Sequence, residues 1–570
     1  MPDRERQRER IIDVAANVGI EDERSGHEAS IAVETENLEP GTWNRAARTI
    51  RQGSSQGPHG FKVLRLLPRS SPSGTHTRHP PISPPGNSLN VLFASAEMSP
   101  LAKVGGLGDV AGSLPRALRQ HGLDVRLAMP FHAIIDREQA AAKRIAEQVR
   151  VPWAGGDESV DVWLADVRGV PVYLIENQRY FDRPTVYGHD DDIERFLFFC
   201  DALLACADRL DFRPDAVHAQ DWHTALLLTR LEADDAHPWS RCGRAYTIHN
   251  LALKGEFTRD FAAGFGLGSQ QFAPPDGLPE DIMYSAMAQG IAHAQRVNTV
   301  SETYAKEILT PEYGAGLDPL LRARGEWVSG IVNGIDYEEF DTQTDAALET
   351  NFNVDTLDRR EQNKHVLQAT AGLPIDPGAP LFGVVTRLFA QKGIDLVSDA
   401  FDALLAEREA QLVVLGTGDQ SVHEALQALE ARYPQRVKVW LDFNPPLGQQ
   451  IYGGCDVFMM PSRYEPCGLG QLISLRYGAV PLVRRTGGLN DTVQDADPSL
   501  TTGTGFIFEG ATARDLREAA ERALTAFANR AGWRAMQERG MRQDWSWGPA
   551  ADNYAALYET AIADRGARVS

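Results

Sequence analysis

Residues 93–130 read FASAEMSPLAKVGGLGDVAGSLPRALRQHGLDVRLAMP, and this stretch decides the fold of the chain. An apolar run at residues 91–94 suits a buried strand, helical spacing follows at residues 112–120, and residues 125–129 form another strand-like run. A strand, a loop, a helix and a second strand within about forty residues make one βαβ unit. We therefore expect a parallel sheet that binds a ligand at its carboxyl edge, beside the loop and the helix start.

The loop of this unit is rich in glycine and carries one lysine, Lys103. Glycines at 105, 106 and 108 permit positive φ and close approach to a ligand, and the N–H groups at a helix start favour negative charge. Lys103 adds a full positive charge. The spacing GGLG differs from GxGxxG and no acidic residue ends the second strand, so a dinucleotide site is disfavoured. An ordinary turn is the alternative to a phosphate site.

The composition excludes several classes of protein. A chain of 570 residues exceeds one ordinary core, and two large domains fit best. The hydrophobic fraction of 43% without an apolar stretch of about eighteen residues indicates no membrane span. The formal net charge of −21 argues against nucleic acid or an anionic membrane as a partner. If the ligand is anionic, the positive charges that bind it must be local.

The five cysteines are widely spaced, odd in number and show no CxxC pattern. This usage is typical of a reducing compartment, here the cytoplasm, and of a protein without structural zinc.

The first 88 residues differ from the remainder. Residues 41–88 contain no carboxylate and end in HPPISPPGNS, while the preceding residues carry many mixed charges. Such a segment buries too little apolar area to offset its ordering entropy, so residues 1–88 are predicted to be a disordered extension. A transit peptide is disfavoured because the segment begins with many acidic residues, and no signal-peptide core is present.

Two successive series of strand-like and helix-like segments follow. The first series has further strands at residues 170–175, 216–218, 245–248 and 296–300. The second contains PLFGVVTRLFAQKGIDLV, QLVVLGTGD, VKVWLDF, DVFMMPS and VPLVRR. They predict an α/β chain with two doubly wound domains, at 89–338 and 339–545, whose strand ends face a common cleft. From its pattern alone, the last helix, in residues 546–570, could cap either domain.

The second series carries two cations after a strand. Arg387 follows the strand end, and Lys392 lies five residues later beside Gly393 at a helix start. Two positive side chains and a helix N-terminus suit a diphosphate, whose charge grows when it leaves a sugar. The alternative is a solvated surface pair.

Further along, PSRYEPCGLGQL places Glu465 before Pro466, which suits a first helical turn. A carboxylate there can accept hydrogen bonds from sugar hydroxyls, although a plain helix-start charge fits equally. Cys467 lacks an ordered histidine partner, so a buried small residue is favoured over a nucleophile. The loop at Thr486, Gly487 and Gly488 is either a second phosphate cradle or an ordinary turn.

Histidines follow two strands of the first series. His218, Asp221 and His223 lack the HExxH order and a clear third-ligand pattern, so a metal site is disfavoured. His249 and Asn250 end an apolar strand, where a histidine can donate a hydrogen bond to a sugar hydroxyl. A structural histidine is equally compatible with the spacing.

Taken together, KVGGLGDV, HAQDWHTAL, YTIHNLA, NTVSETYAKEI, VNGID, TRLFAQKGID, PSRYEPCGLGQL, LRYG and RRTGGL resemble the bacterial glycogen synthase and plant starch synthase family. The resemblance extends from about residue 91 to 558, in the family's order. It implies a GT-B fold of two Rossmann-like domains, with the final helix crossing back onto the first domain. It also implies transfer of glucose from ADP-glucose to the non-reducing end of an α-1,4-glucan, with retention of configuration and without a metal or other cofactor.

The resemblance also implies roles for individual residues. Arg387 and Lys392 match the pair that binds the diphosphate, Glu465 the active-site glutamate, and His249 the histidine near the transferred glucose. The remaining predicted donor-site residues are Glu97, Lys103, Gly105, Gly106, Asp221, Asn250, Cys467, Gly468, Leu469, Thr486 and Gly487.

Some positions depart from the family pattern. The segment YEEFDTQTD after VNGID lacks the usual tryptophan, and LDFNPP replaces a commoner aromatic and acidic pair. These changes weaken any assignment of the adenine pocket and the acceptor path. Ile473 stands where many related retaining transferases have a second glutamate. The absence of that glutamate is normal for the family that this chain resembles. A GT-B transferase that uses UDP-glucose and a non-catalytic nucleotide-sugar or glucan-binding protein are the alternatives; a nicotinamide dehydrogenase is disfavoured.

Overall fold

The structure is a computed structural model that describes residues 88–268 and 272–569. The predicted disordered extension lies outside these residues, apart from Ser88. No helix in the described ranges combines the length and the apolar character that crossing a lipid bilayer requires.

The first sheet confirms the predicted βαβ unit. Its first strand, Asn90–Ala94, pairs in parallel with Asp124–Pro130, and the helix Gly106–Gln120 connects them. The helix therefore begins at Gly106 rather than at residue 112, so much of the glycine loop is its first turn. The nine strands stand in the order β3-β4-β5-β2-β1-β6-β7-β8-β9. They are β1 Asn90–Ala94, β2 Asp124–Pro130, β3 Lys143–Trp153, β4 Gly156–Val167, β5 Val170–Glu176, β6 Ala216–Gln220, β7 Gly243–Ile248, β8 Arg296–Thr299 and β9 Val328–Gly330.

The second sheet is parallel throughout and has the order β12-β11-β10-β13-β14-β15. Five of its strands coincide with the second predicted series. The strands are β10 Leu381–Val385, β11 Gln411–Leu415, β12 Val437–Trp440, β13 Val457–Met460, β14 Val480–Arg484 and β15 Phe506–Phe508. We call the parts built on β1–β9 and on β10–β15 the N-terminal lobe and the C-terminal lobe.

Helices connect the strands of both lobes. In the N-terminal lobe they are α1 Gly106–Gln120, α2 Gln178–Phe181, α3 Asp192–Ala205, α4 Asp221–Ala233, α5 Arg259–Gly264, α6 Ala286–His293, α7 Glu302–Glu307 and α8 Asp318–Arg324. The later helices are α9 Arg360–Thr370, α10 Ile394–Glu407, α11 Gln420–Arg432, α12 Pro445–Gly454, α13 Gly470–Arg476, α14 Gly487–Thr492, α15 Ala513–Phe527, α16 Arg530–Met541 and α17 Trp547–Val569. Short 3-10 helices are Ala207–Arg209, Glu280–Met283, Gly325–Trp327, Val354–Arg359 and Ala390–Lys392.

Both faces of each sheet are covered. In β1, Leu92 belongs to one hydrophobic cluster and its neighbour Phe93 to another. In β10, Phe382 and Leu381 likewise lie in different clusters. Successive strand residues point to opposite faces, so each sheet has a core on both sides and is doubly wound, as predicted.

The final helix, α17, packs on the N-terminal lobe. Its Tyr554 and Tyr558 are buried in a core cluster that also contains residues of β1 and α1. The Tyr558 hydroxyl lies 2.9 Å from His218 Nδ1, and the Asn298 amide donates to the Tyr554 hydroxyl at 3.0 Å. The chain thus returns from the second sheet to the first.

The strands β3 and β4 form an antiparallel hairpin that the pattern did not predict. The burial of β3 alternates only in its second half, and its first half, KRIAEQ, is largely exposed and polar. Because an edge strand has one partner and few buried side chains, its sequence carries a weak hydrophobic signal.

Candidate active site

The loop after β1 is organised by a buried carboxylate, Glu97. Its Oε2 accepts hydrogen bonds from the backbone N–H groups of Val104 and Gly105, the latter at 3.0 Å. Burial raises the pKa of the Glu97 carboxyl, and these two hydrogen bonds oppose that rise. Glu97 therefore shapes the loop that leads into α1. The sequence predicted a different role for it, as a donor-site residue.

None of the three glycines of this loop uses the positive φ that glycine permits. Gly108 shows close approach, because a Cβ there would lie 3.0 Å from Glu97 Oε2 and 3.1 Å from Lys103 Cγ. A Cβ on Gly106 would meet no atom within 4 Å. Gly106 thus borders open space, whereas Gly108 packs against its own loop.

Lys103 is bonded within the same loop region. Its Nζ lies 2.5 Å from Asp109 Oδ1, and 43% of the Lys103 side chain is exposed. Burial raises the pKa of Asp109, and the Lys103 ammonium opposes that rise. A ligand phosphate would therefore have to compete with Asp109 for this ammonium.

Asp221 joins the ends of two neighbouring strands. It begins α4 directly after β6, with φ of 51°, a left-handed value that is uncommon for an aspartate. Its Oδ1 accepts hydrogen bonds from the N–H groups of His249 at 2.7 Å and Asn250 at 3.4 Å, just beyond β7. Burial raises the pKa of Asp221 to about 7.

His249 is half-buried, and desolvation of its ring lowers its pKa to about 3, so the ring is neutral at ordinary pH. Its Nε2 lies 2.8 Å from Gln220 Oε1. The Gln220 amide thus engages one ring nitrogen of His249, and a sugar hydroxyl would use the other nitrogen or displace Gln220.

The other two histidines of this region face the protein interior. His218 Nε2 lies 2.7 Å from Thr247 Oγ1, and the His223 ring packs against the rings of Tyr187 and Phe196. Within residues 88–268 and 272–569, His, Cys, Asp and Glu side chains form no group of three or more that could hold a metal ion.

In the C-terminal lobe, Lys392 and Glu465 form a direct ion pair. Lys392 Nζ lies 2.6 Å from Glu465 Oε2, and Ser462 Oγ donates to the same oxygen at 2.9 Å. Only 7% of the Glu465 side chain and 16% of the Lys392 side chain are exposed. These two residues follow β10 and β13, which are neighbours in the sheet, so parallel pairing brings their loops together.

A glycine permits this approach. Gly393, between Lys392 and α10, has φ of 65°, and a Cβ there would lie 2.0 Å from the Pro461 carbonyl oxygen. The loop before α10 therefore packs directly on the loop that carries Glu465. The expectation that Pro466 occupies a first helical turn is wrong, because α13 begins at Gly470.

Arg387 lies two residues beyond β10 and is exposed. Its guanidinium carbon is 6.0 Å from the centre of the Phe389 ring, and its charge acts on the Tyr464 hydroxyl. The exposed position leaves Arg387 accessible to a ligand.

Cys467, Gly468 and Leu469 form the turn before α13. Burial raises the pKa of the Cys467 thiol to about 12, which argues against a nucleophile. Gly468 has φ of 76°, and the Gln471 amide donates to the carbonyl oxygens of Cys467 and Gly468 at 3.1 and 2.9 Å. The sequence did not single out Gln471, which holds this turn.

Thr486 and Gly487 are bonded to a carboxylate of the other lobe. Thr486 Oγ1 and the Gly487 N–H donate to Glu307 Oε1 at 3.0 and 3.1 Å. The predicted phosphate cradle is thus occupied by a protein carboxylate. Glu307 lies in NTVSETYAKEI, a motif to which the sequence assigned no role.

One contact joins the two groups of predicted residues. We call the group around Asp221 and His249 the N-terminal wall and the group around Lys392 and Glu465 the C-terminal wall. A hydrogen bond from the Asn250 side chain lowers the pKa of the Tyr464 hydroxyl, against the larger effect of burial, which raises it. Asn250 follows Asp221-bound His249, and Tyr464 precedes Glu465. The predicted residues therefore gather in two groups, one on each side of this contact.

Two family descriptions match the chain. The starch synthase catalytic domain matches residues 90–323, and the glycosyl transferases group 1 family matches residues 368–535. A glycogen synthase of Moorella thermoacetica is 42% identical over 485 residues, which are 84% of this chain and 98% of the relative. The chain belongs to the glycogen synthase family. Glycogen synthase 2 of Geobacter sulfurreducens is also 42% identical, over 84% of this chain and 100% of its own length.

Solved structures agree with this membership. The catalytic domain of starch synthase IV from Arabidopsis thaliana, bound to ADP and acarbose, superposes with a TM-score of 0.77 and is 33% identical. It covers 84% of this chain and 100% of its own. A sucrose-phosphate synthase from Thermosynechococcus elongatus, 17% identical with a TM-score of 0.52, covers 83% of this chain and 99% of its own, and it shares the fold.

Membership of the glycogen synthase family confirms the predicted GT-B fold and activity. The protein is a retaining glucosyltransferase of the glycogen and starch synthase type, which uses a nucleotide-sugar donor and a glucan acceptor. The role of each site residue and the limits of the domains stay predictions.

Proposed function

We propose that this chain transfers glucose from ADP-glucose to the non-reducing end of an α-1,4-glucan in the cytoplasm, without a metal or other cofactor. The observation that carries the proposal is the buried Lys392–Glu465 pair, which lies beside the Tyr464–Asn250 contact between the lobes. The relatives are glycogen synthases, and the Arabidopsis starch synthase binds ADP and acarbose, which supports this choice of donor and acceptor.

In the proposed reaction, negative charge develops on the leaving nucleoside diphosphate. As the bond between glucose C1 and the phosphate oxygen breaks, the oxygen keeps the electron pair and the sugar becomes oxocarbenium-like. Two unit charges about 4 Å apart interact by roughly 4 kcal/mol at an effective dielectric near 20. Arg387 and Lys392 would supply positive charge at this point, and a preorganised charge costs no reorganisation during the reaction.

Glu465 has two tasks in this proposal. It holds the Lys392 ammonium at 2.6 Å before the donor arrives, so the lysine remains ordered in the cleft. Its carboxylate also accepts hydrogen bonds from glucose hydroxyls once the diphosphate shares the ammonium.

The N-terminal wall contacts the glucose in this proposal. Desolvation lowers the pKa of His249 to about 3 and raises that of Asp221 to about 7, so His249 is neutral and Asp221 is partly protonated near neutral pH. A neutral His249 hydrogen-bonds a sugar without opposing the positive charge that develops on it. The acceptor hydroxyl attacks C1 on the face that the diphosphate leaves, and its proton passes to the departing phosphate oxygen. This route keeps the anomeric configuration without a protein nucleophile.

One assay tests the proposal. The full chain is mixed with glycogen and either ADP-glucose or UDP-glucose, and release of the nucleoside diphosphate is measured with and without glycogen. We expect glycogen-dependent release that is faster with ADP-glucose. Preference for UDP-glucose would overturn the donor, and binding of either donor without release would indicate a non-catalytic protein.

A further inference from the structure

A carboxylate of the N-terminal lobe holds backbone of the C-terminal lobe. Glu307, the last residue of α7, accepts hydrogen bonds from Thr486 Oγ1 at 3.0 Å and from the Gly487 N–H at 3.1 and 3.2 Å. The Glu307 side chain is half-buried, and burial raises its pKa while these hydrogen bonds oppose the rise. Hydrogen bonds to a charged acceptor are stronger than neutral ones, so Glu307 fixes this backbone firmly.

The segment that Glu307 holds rests on the main chain of Glu465. A Cβ on Gly487 would lie 1.9 Å from the Glu465 carbonyl oxygen, so no side chain fits between the two segments. The Gly488 N–H donates to the carbonyl oxygens of Glu465 at 3.2 Å and Pro466 at 3.1 Å. A shift of residues 486–488 must therefore move the backbone that carries the Glu465 side chain.

The same series of contacts ends at the Lys392 ammonium, which acts on the leaving diphosphate in the proposed reaction. Glu465 Oε2 binds Lys392 Nζ at 2.6 Å. From Glu307 to Lys392 every link is a hydrogen bond, an ion pair or a glycine contact that leaves no free space.

We propose that Glu307 is a positioning residue for catalysis: from the N-terminal lobe it sets the place of Glu465 and Lys392 through residues 486–488. The proposal rests on the proposed glucosyl transfer. It means that the positions of Glu465 and Lys392 depend on how the two lobes are placed. Glu307 itself does not touch the substrate.

A neighbouring contact between the same two helices provides a comparison. The Thr303 N–H and hydroxyl donate to the carboxylate of Asp491, the former at 2.9 Å, and the Asn490 amide donates to Thr303 Oγ1 at 2.8 Å. This contact also joins α7 to α14. The Asp491 carboxylate accepts from the other lobe, as that of Glu307 does, but within the part of the chain that the structure describes it has no hydrogen bond to residues 486–488 or to Glu465.

The experiment compares Glu307→Gln and Glu307→Ala with two control variants in the full chain. Glu302→Gln removes the same charge from an exposed position on α7, and Asp491→Asn weakens the neighbouring contact between the lobes. For each protein, kcat and KM for ADP-glucose are measured with saturating glycogen, together with the affinity for ADP and the midpoint of thermal unfolding.

We expect kcat to fall about tenfold in Glu307→Gln, which keeps one acceptor oxygen, and about a hundredfold in Glu307→Ala. The affinity for ADP should change less than about threefold, because Arg387 and Lys392 remain. Glu302→Gln should match the wild type, and Asp491→Asn should lose less than about threefold in kcat.

Three results would overturn the proposal. The first is a kcat of Glu307→Gln equal to that of Glu302→Gln. The second is a loss of kcat in Asp491→Asn as large as that in Glu307→Gln, which would mean that any contact between the lobes has this effect. The third is a kcat loss that merely follows the fraction of unfolded protein. If neither Glu307 variant folds, Thr486→Val, which removes one donor from the other side, must lower kcat about threefold or more at unchanged ADP affinity. A wild type without glycogen-dependent release would refute the proposed function itself.

Discussion

The two walls of the cleft hold their ionisable groups in opposite ways. On the N-terminal wall, Asp221 is buried and His249 is half-buried, and desolvation moves their pKa values to about 7 and about 3, toward the neutral forms. On the C-terminal wall, Lys392 is ion-paired with Glu465 and Arg387 is exposed. One wall therefore offers fixed hydrogen-bonding groups with little charge, and the other offers charge.

The difference follows from what each wall contacts in the proposed reaction. A diphosphate carries charge and gains more, so its partners must stay ionised, and pairing or exposure keeps them so. A glucosyl group that becomes positive is neutral at first, and buried neutral groups can surround it without the cost of burying an unpaired charge. Substitutions on each wall test this difference.

Lys392→Met removes the buried cation of the C-terminal wall. We expect kcat to fall on the order of 10² to 10³, because one preorganised charge at the leaving group is lost. The measurement is the rate of ADP release with glycogen. Lys438→Met is the matched control, since Lys438 is also ion-paired in this lobe, to Glu430 at 2.8 Å, on an edge strand. A loss below about threefold would remove the cation from the mechanism.

Gly393→Ala tests how closely the C-terminal wall is built. The added Cβ would lie 2.0 Å from the Pro461 oxygen at a φ of 65°, so Lys392 must move and kcat should fall about tenfold. Gly372→Ala is the control, because Gly372 has a φ of 68° but no atom within 4 Å of the added Cβ. The control should cost only about 1 kcal/mol of unfolding free energy. Equal effects of the two variants on kcat would contradict the predicted role of the close approach.

Asp221→Asn tests the charge state of the N-terminal wall through stability. A folded-state pKa of about 7, above the ordinary value near 4, means that the folded protein binds a proton that the unfolded chain releases. This contribution is fully present below about pH 4 and is lost as pH rises through about 7. Relative to the wild type, Asp221→Asn should therefore gain unfolding temperature from pH 4 to pH 7.5. A difference in unfolding temperature that is constant across this range would mean that Asp221 is ionised throughout.

Cys467→Ser should have the smallest effect. The thiol is buried with a pKa raised to about 12, so it is not a nucleophile at neutral pH. We expect kcat to change less than about threefold. Loss of nearly all turnover in this variant, with unchanged unfolding temperature, would place a reactive thiol in the cleft and contradict this account of the wall.

Much of the architecture could be predicted from the sequence. Apolar runs of four to seven residues marked most of the buried strands, because strands covered on both faces read as continuous hydrophobic segments. Lys392 and Glu465 were recognisable because each stands in a loop directly after such a strand. The hairpin of β3 and β4 was not predicted, since its exposed edge lacks the signal that burial leaves in a sequence.

Strand periodicity and loop position are local properties of the chain, so two doubly wound domains with cations and carboxylates at their strand ends could be read from the residues. Folding was needed to pair Lys392 with Glu465 and Glu307 with Gly487. The last of these pairs joins residues 180 positions apart. Contacts of this kind depend on how two lobes pack, and local sequence carries no record of the distance between them.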